Sequence, residues 1–224
     1  MQTHFLIISG IIFFFLVFPF LTVVLSRFFS EKIDREKVDT HYDFACIITA
    51  YKNVAITEHL VQSLLKQAHK HFHIYLVADE CDAIDFHFAD DRLTVFYPNP
   101  PLRLKAKSII YATDNFKRAH DYCIIFDADN LAHPNFLQEI NVYANQGYRS
   151  IQGQRTAKNL DTIYACADST GEFYKNFVER YVPYLIGSSS VISGSGMAVK
   201  TDLYRAYLNS SEIQAGKEKW KKML

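Results

Sequence analysis

The chain lacks any close pair of cysteines. Cys46, Cys81, Cys123 and Cys166 are its only four, and none forms a C-x-x-C arrangement. That excludes the zinc-site and dithiol-redox patterns that depend on this spacing. Cys46 and Cys123 sit inside apolar runs and are expected to be buried thiols. The chain also lacks net charge, because 24 Lys and Arg balance 24 Asp and Glu. No nucleic-acid partner is therefore expected, and any site for a polyanion must be local. No internal repeat is present, which removes solenoid architectures. Glycine is missing from "AYKNVAIT", the stretch that follows the first strand-like run. A nucleotidyltransferase needs a glycine-rich phosphate loop at that place.

Charge is absent altogether from Phe5 to Leu25, "FLIISGIIFFFLVFPFLTVVL". As a helix this run extends about 31 Å, enough to cross the hydrocarbon core of a bilayer. It is too long for a cleaved signal peptide, no basic residue precedes it, and no A-x-A site follows it. Arg27, Lys32, Arg35 and Lys37 all lie on its C-terminal side. The positive-inside rule then leaves the remainder in the cytoplasm, on a single-pass anchor in the inner membrane. Free, widely spaced cysteines suit that compartment. The expected organisation is an anchor over residues 1–26, a charge-rich juxtamembrane linker over 27–41, and one globular domain from 42 to 224. A chain of 224 residues has room for one sizeable core.

Within that domain, "FACIITAY" (44–51) and "FHIYLVAD" (72–79) are short, nearly continuous apolar runs, the pattern of strands buried on both faces. Helical spacing of Ile56, Leu60, Val61, Leu64 and Leu65 lies between them. "RLTVFYP" (92–98) predicts a third strand, 105–119 a helix, "DYCIIFD" (121–127) a strand, 134–146 a helix with proline in its first turn, and 148–155 a fifth strand. Beyond Asp161 a helical segment runs toward Tyr181. The small-residue stretch 187–199 predicts a loop leading to a short strand. Such alternation implies an α/β fold, a mostly parallel sheet covered by helices on both faces.

In sheets of this kind ligands gather at the carboxyl ends of the strands. Asp127 and Asp129 stand at such an end in "YCIIFDADN". Residues i and i+2 of an extended chain share a side, so both carboxylates can aim at one point. Two carboxylates that close repel unless a cation stands between them, and a hard divalent ion carrying phosphate oxygens fits that role. The competing reading is an Asx turn made by Asp129 and Asn130. Asp79 closes the second strand and forms an acidic tip with Glu80 and Asp82. Arg103, Lys105 and Lys107 precede a helix, where they would pair with phosphates or simply form a solvated basic face. His69, His71 and His73 alternate across a helix-to-strand junction with no carboxylate or cysteine at ligand spacing, and are read as a solvated junction.

"TAYKN" (49–53), "VADECD" (77–82), "KAK" (105–107), "FDADN" with "HPNFL" (133–137), "QGQ" (152–154) and "SGSGM" (193–197) together resemble the ordered motifs of family-2 glycosyltransferases. The resemblance covers residues 42 to about 205. It implies the Rossmann-like GT-A fold and transfer, with inversion, of a sugar from a nucleotide diphosphate sugar to an acceptor hydroxyl on a polysaccharide, glycolipid or similar envelope glycan. It further implies that Asp79 contacts the nucleotide, that Asp127 and Asp129 hold Mn or Mg with the diphosphate, and that Lys105 or Lys107 assists the phosphates. Ser193–Met197 would lie near a glycan or lipid-linked acceptor. The chain departs from the family's pattern at Val54, where an acid usually follows the asparagine. It also lacks the E-D pair that supplies the catalytic base, which is therefore expected beyond Leu224, in a longer protein. Glu212 and Glu218 are the carboxylates after Asp202. The alternatives are a nucleotide-binding scaffold without turnover and a nucleotidyltransferase.

Overall fold

The computed structural model describes residues 2–31, 33–82, 86 and 88–211, so Glu212 and Glu218 lie outside the described residues. The chain divides into two compact units, Met1–Lys32 with Gln154–Ile192, and Ile33–Gly153 with Ser193–Leu224.

The second unit is built on one six-stranded sheet. Its strands are β1 (Phe44–Tyr51), β2 (Phe72–Asp79), β3 (Leu93–Phe96), β4 (Tyr122–Asp127), β5 (Ser150–Gln152) and β6 (Met197–Lys200). They lie in the order β3-β2-β1-β4-β6-β5. The first four run parallel, whereas β6 pairs antiparallel with both β4 and β5. The α/β architecture expected from the sequence is thus present, with an antiparallel step at one side.

Burial explains why β1 and β2 carry so few polar residues. On one face Phe44, Cys46, Ile48, Ile74 and Leu76 pack under α2 (Glu58–Leu65) and α4 (Phe136–Asn145), through Leu60, Leu64, Leu137 and Ile140. On the other, Ala45, Ile47, Tyr75, Val77 and Ile125 meet α3 (Lys105–Asp114) and α7 (Thr201–Leu208), through Ile109, Ala112, Tyr204 and Leu208. Each fully buried Leu, Ile or Phe contributes about 1.5–3 kcal/mol, so this two-sided core dominates the unit's stability. Cys46 and Cys123 are buried free thiols, as expected.

Helix α3 ends at Asp114, earlier than the expected 119, because Phe116 turns inward onto Tyr75 and the Lys117 N–H donates to the Tyr75 hydroxyl at 3.0 Å. The histidine junction also departs from the solvated one expected. His69 and His73 are buried rather than solvated, since His69 Nε2 meets the Tyr42 carbonyl at 2.9 Å and His73 Nε2 meets the Thr94 hydroxyl at 2.7 Å.

At the amino-terminal end of β1, Asp43 bonds His120 Nδ1 at 2.8 Å and Arg118 Nε at 2.7 Å. Burial alone would raise its pKa, but the hydrogen bonds from His120 and Arg118 outweigh it and bring the carboxyl from 3.8 down to about 2. Burial, helped by Arg118 and Lys117, pushes His73 down to about 4. Asp43 favours the fold at neutral pH, a contribution complete above about pH 4 that fades toward pH 2, whereas buried His73 resists protonation, so stability falls as pH drops from its unfolded value of about 6.5 toward 4. Asp43→Asn should therefore cost about 2 kcal/mol near neutrality. Unfolding in detergent across a pH series should show the gap to wild type closing below pH 4. A gap independent of pH would contradict the assignment.

The first unit begins with α1 (Gln2–Ser26). Residues Thr3–Ser26 of this helix are long and apolar enough to cross a membrane, and none of its most apolar 18-residue stretch is buried. The unit continues with α5 (Ile163–Tyr174), a π-helical stretch (Lys175–Tyr181) and α6 (Val182–Leu185), which packs on α1. Thr162 caps α5 by accepting the Ala165 N–H at 3.1 Å.

Candidate active site

Strand register sets the geometry of the carboxyl rim. Thr49 of β1 lies opposite Asp127 of β4, and Tyr51 lies opposite Asp79 of β2. The two acids therefore stand at the same end of the sheet, on either side of β1.

Strand β4 stops at Asp127, and Ala128 and Asp129 form a turn. Asp127 and Asp129 are therefore not held as residues i and i+2 of one extended strand, as the sequence pattern implies. Turn chemistry holds them instead. The Asp127 N–H donates to Asn130 Oδ1 at 3.1 Å and to Ser195 Oγ at 3.1 Å, while the Asn130 N–H returns to the Asp127 carbonyl at 3.1 Å. Ser195, buried at 1% exposure, donates its own hydroxyl to Asn130 Oδ1. Asn130 Nδ2 donates to Asp129 Oδ1 at 3.4 Å. With its amide and its turn fixed, Asp127 is left presenting its carboxylate at the rim.

That carboxylate meets Lys105, the first residue of α3. Lys105 Nζ forms an ion pair with Asp127 Oδ1 and donates to the Gly194 carbonyl at 3.3 Å. Both side chains are about two-fifths exposed, 42% and 40%. A pair so wet is worth about 0–1 kcal/mol, so an incoming cation or phosphate can separate it at little cost. Lys107 is half-buried and forms no ion pair among the described residues.

The loop carrying Gly194 and Ser195 is strapped down by Gln152. Its Nε2 donates to the carbonyls of Gly153 at 2.9 Å and Ser195 at 3.0 Å, and its Oε1 accepts the Ser193 N–H at 2.9 Å. Gly194 and Gly196 adopt φ of 70° and 63°, where a side chain would be strained. Gly153 is needed for a different reason. A Cβ there would lie 2.6 Å from Phe136 Cε2 and 2.9 Å from the Gly196 carbonyl oxygen.

Asp79 is buried, with 2% exposure. Its carboxylate accepts the backbone N–H groups of Leu102 at 2.8 Å and Arg103 at 2.6 Å, and its carbonyl accepts the Lys52 N–H at 3.0 Å. It thus ties the rim loops together just ahead of Lys105. Lys52, Glu80 and Arg103 all have positive φ, 61°, 56° and 54°. Backbone strain of this kind is held only where surrounding contacts enforce it, and it clusters at functional rims. Hydrogen bonds from Tyr51 and Arg103 hold the Glu80 carboxyl below its ordinary range, with Arg103 Nη2 at 2.8 Å from Oε1.

The structure thus brings Asp127, Asp129 and Lys105 to one rim and spends Asp79 on backbone amides. Asn130, Gln152 and Ser195 emerge as positioning residues whose roles the sequence did not assign, although their letters sit within "FDADN", "QGQ" and "SGSGM".

A family model described as "Glycosyltransferase like family 2" matches residues 41–222. No curated protein sequence matches the chain. Among solved structures, the mannosyltransferase PcManGT from Pyrobaculum calidifontis, in complex with GDP-Man and Mn2+, is similar at a TM-score of 0.61 and 14% identity, covering 84% of this chain and 54% of that one. TarS 1-349 from S. aureus is similar at 0.53 and 15% identity, covering 77% and 53%. Its complex with UDP-GlcNAc gives 0.50 and 14% identity, covering 74% and 47%. These likenesses identify the fold as GT-A. The chain spans about half the length of the solved proteins it matches.

Proposed function

Because the chain belongs to the glycosyltransferase-like family 2, we propose that it transfers a sugar from a nucleotide diphosphate sugar to the hydroxyl of a glycan or lipid-linked acceptor, with inversion, while anchored to a membrane by α1. The observation that carries this reading is the rim itself: Asp127 and Asp129 on a fixed turn at the carboxyl end of β4, faced by Lys105. Similar structures solved with GDP-Man and Mn2+ and with UDP-GlcNAc support a nucleotide-sugar donor and a divalent metal.

The donor set suits such an ion. Asp127 and Asp129 offer hard oxygens at an accessible rim, and among the described residues no group of three His, Cys, Asp or Glu is gathered. Mg and Mn are held in this way by one or two carboxylates, the other positions going to phosphate and water. Bound there, the metal would neutralise charge developing on the departing nucleoside diphosphate. The chain's own part is to hold the donor still. Lys105, released from its wet ion pair, turns its ammonium to a phosphate oxygen, and Lys107 lies one turn-fraction further along the same helix. Asp79 acts on the nucleotide indirectly, by fixing Leu102 and Arg103 ahead of these lysines. Gln152 and Ser195 fix the 193–197 loop on the side assigned to the acceptor.

The measurement is release of nucleoside diphosphate from a panel of nucleotide sugars with manganese and a mixture of glycan and lipid acceptors. Donor-selective release is expected. Saturable nucleotide binding with no release from any donor would favour the scaffold reading. Orientation follows from Arg27, Lys32, Arg35 and Lys37 beyond the span. Protease added outside intact cells should leave the domain whole, and its digestion from outside would reverse the topology.

A further inference from the structure

In the first unit, the amphipathic pattern of α5 and the π-helical stretch is turned inside out. Ser169, Glu172, Asn176 and Arg180 recur at helical spacing and face inward, with Ser169, Asn176 and Arg180 buried. Arg180 Nη1 bonds Asn176 Oδ1 and stands 3.7 Å from Glu172. Asn176 Nδ2 donates to the Arg155 carbonyl at 2.5 Å, and the Ser190 hydroxyl donates to the Arg180 carbonyl at 2.8 Å. The outer surface carries Ile163, Tyr164, Phe173, Phe177 and Tyr181, exposed by 87%, 88%, 62%, 44% and 41%. A helix bathed in water does the opposite, burying its apolar stripe and solvating its polar one.

Two further observations say what covers this face. Phe177, Tyr181 and Tyr184 form one ladder, with ring centroids 6.4 and 6.5 Å apart. Tyrosine has an apolar body and a polar tip, the chemistry of the membrane–water boundary. Helix α6, which ends the ladder, packs on α1, the helix long and apolar enough to cross a bilayer. The segment that bears the aromatic face is therefore joined to the span through α6.

We propose that the segment from Ile163 to Leu185 lies in the headgroup boundary of the same bilayer that α1 crosses, its aromatic face inserted about 5–10 Å. The exposed Asp168 and Lys175 reach water at its edges. This rests on the reading of α1 as a membrane anchor, and the test separates the two.

Single cysteines at Phe15→Cys, Tyr164→Cys, Phe177→Cys and Tyr181→Cys are placed in the full chain carrying Cys81→Ser and Cys166→Ser. Each is labelled with a small fluorophore in phosphatidylcholine–phosphatidylglycerol vesicles, and circular dichroism checks helix content. Lipids with nitroxides near the headgroup or deep in the chain compete as quenchers with aqueous iodide. The label at 15 should respond to the deep nitroxide. Labels at 164, 177 and 181 should respond to the shallow one several-fold more than to iodide. If iodide reaches those three while 15 stays deep, the anchor stands and the proposal is overturned. Shielding from every quencher means a protein surface covers the face, and also overturns it. If iodide reaches 15, the anchor reading fails and takes the proposal with it.

Discussion

Replacing either rim carboxylate, Asp127→Asn or Asp129→Asn, is expected to abolish metal-dependent binding of a nucleoside diphosphate while Glu139→Gln leaves it intact. A divalent cation held by two carboxylates and a diphosphate loses one hard ligand and half its protein charge compensation in either variant. The stabilisation at stake is several kcal/mol, a loss of at least about a hundredfold at about 1.4 kcal/mol per factor of ten. Glu139 is a fair control because it sits on α4 in an exposed ion pair with Arg35 at 2.6 Å, worth about 0–1 kcal/mol. The two rim variants should differ in kind. Asp127→Asn releases the Lys105 ammonium from its partner and should leave weak, metal-independent nucleotide binding. Asp129→Asn keeps that pair and should leave less. Calorimetric titration with and without manganese measures both. Equal affinity in wild type and both variants would reduce the pair to turn formers.

Asp79→Ala should cost both stability and nucleotide affinity. Hydrogen bonds to a charged group are worth about 1.5–3 kcal/mol each, and Asp79 makes two, to the amides of Leu102 and Arg103. Arg103 is held at a φ of 54°, a conformation costing of order 1–3 kcal/mol that relaxes once its restraint is gone. The loop before α3 should then loosen and carry Lys105 away from Asp127. A lower melting temperature together with weaker diphosphate binding is the expected pair of results. Unchanged stability with lost affinity would instead mean that the carboxylate touches the nucleotide directly.

The sequence made the parallel core legible because β1 and β2 are buried on both faces. The β1 run ends where burial ends, at Tyr51, whereas in β2 burial continues through Asp79, whose charge rather than its exposure closes the apolar run. What it did not reveal depends on contacts distant along the chain. The inward turn of Phe116 onto Tyr75 shortens α3 against the local preference of "NFKRA". His69 and His73 are drawn inside by Tyr42 and Thr94, and no local pattern marks those partners. The antiparallel entry of β6 beside β4 is likewise a pairing between segments far apart. At the site, the acids at the strand ends stood out by type and position. Their supports did not: Asp127 leans on Ser195, and Asp79 spends its oxygens on amides beyond β3. The inverted face of α5 leaves no mark in the sequence, because inward polar and outward apolar residues share the periodicity of an ordinary amphipathic helix.

The most direct test of the central claim is calorimetry of UDP and GDP binding to the full chain in detergent, first with manganese and then with the metal chelated. The rim of Asp127, Asp129 and Lys105 predicts saturable binding of at least one nucleotide with manganese and its collapse on chelation. Binding of the same strength without the metal, or none of either nucleotide with it, would contradict the account.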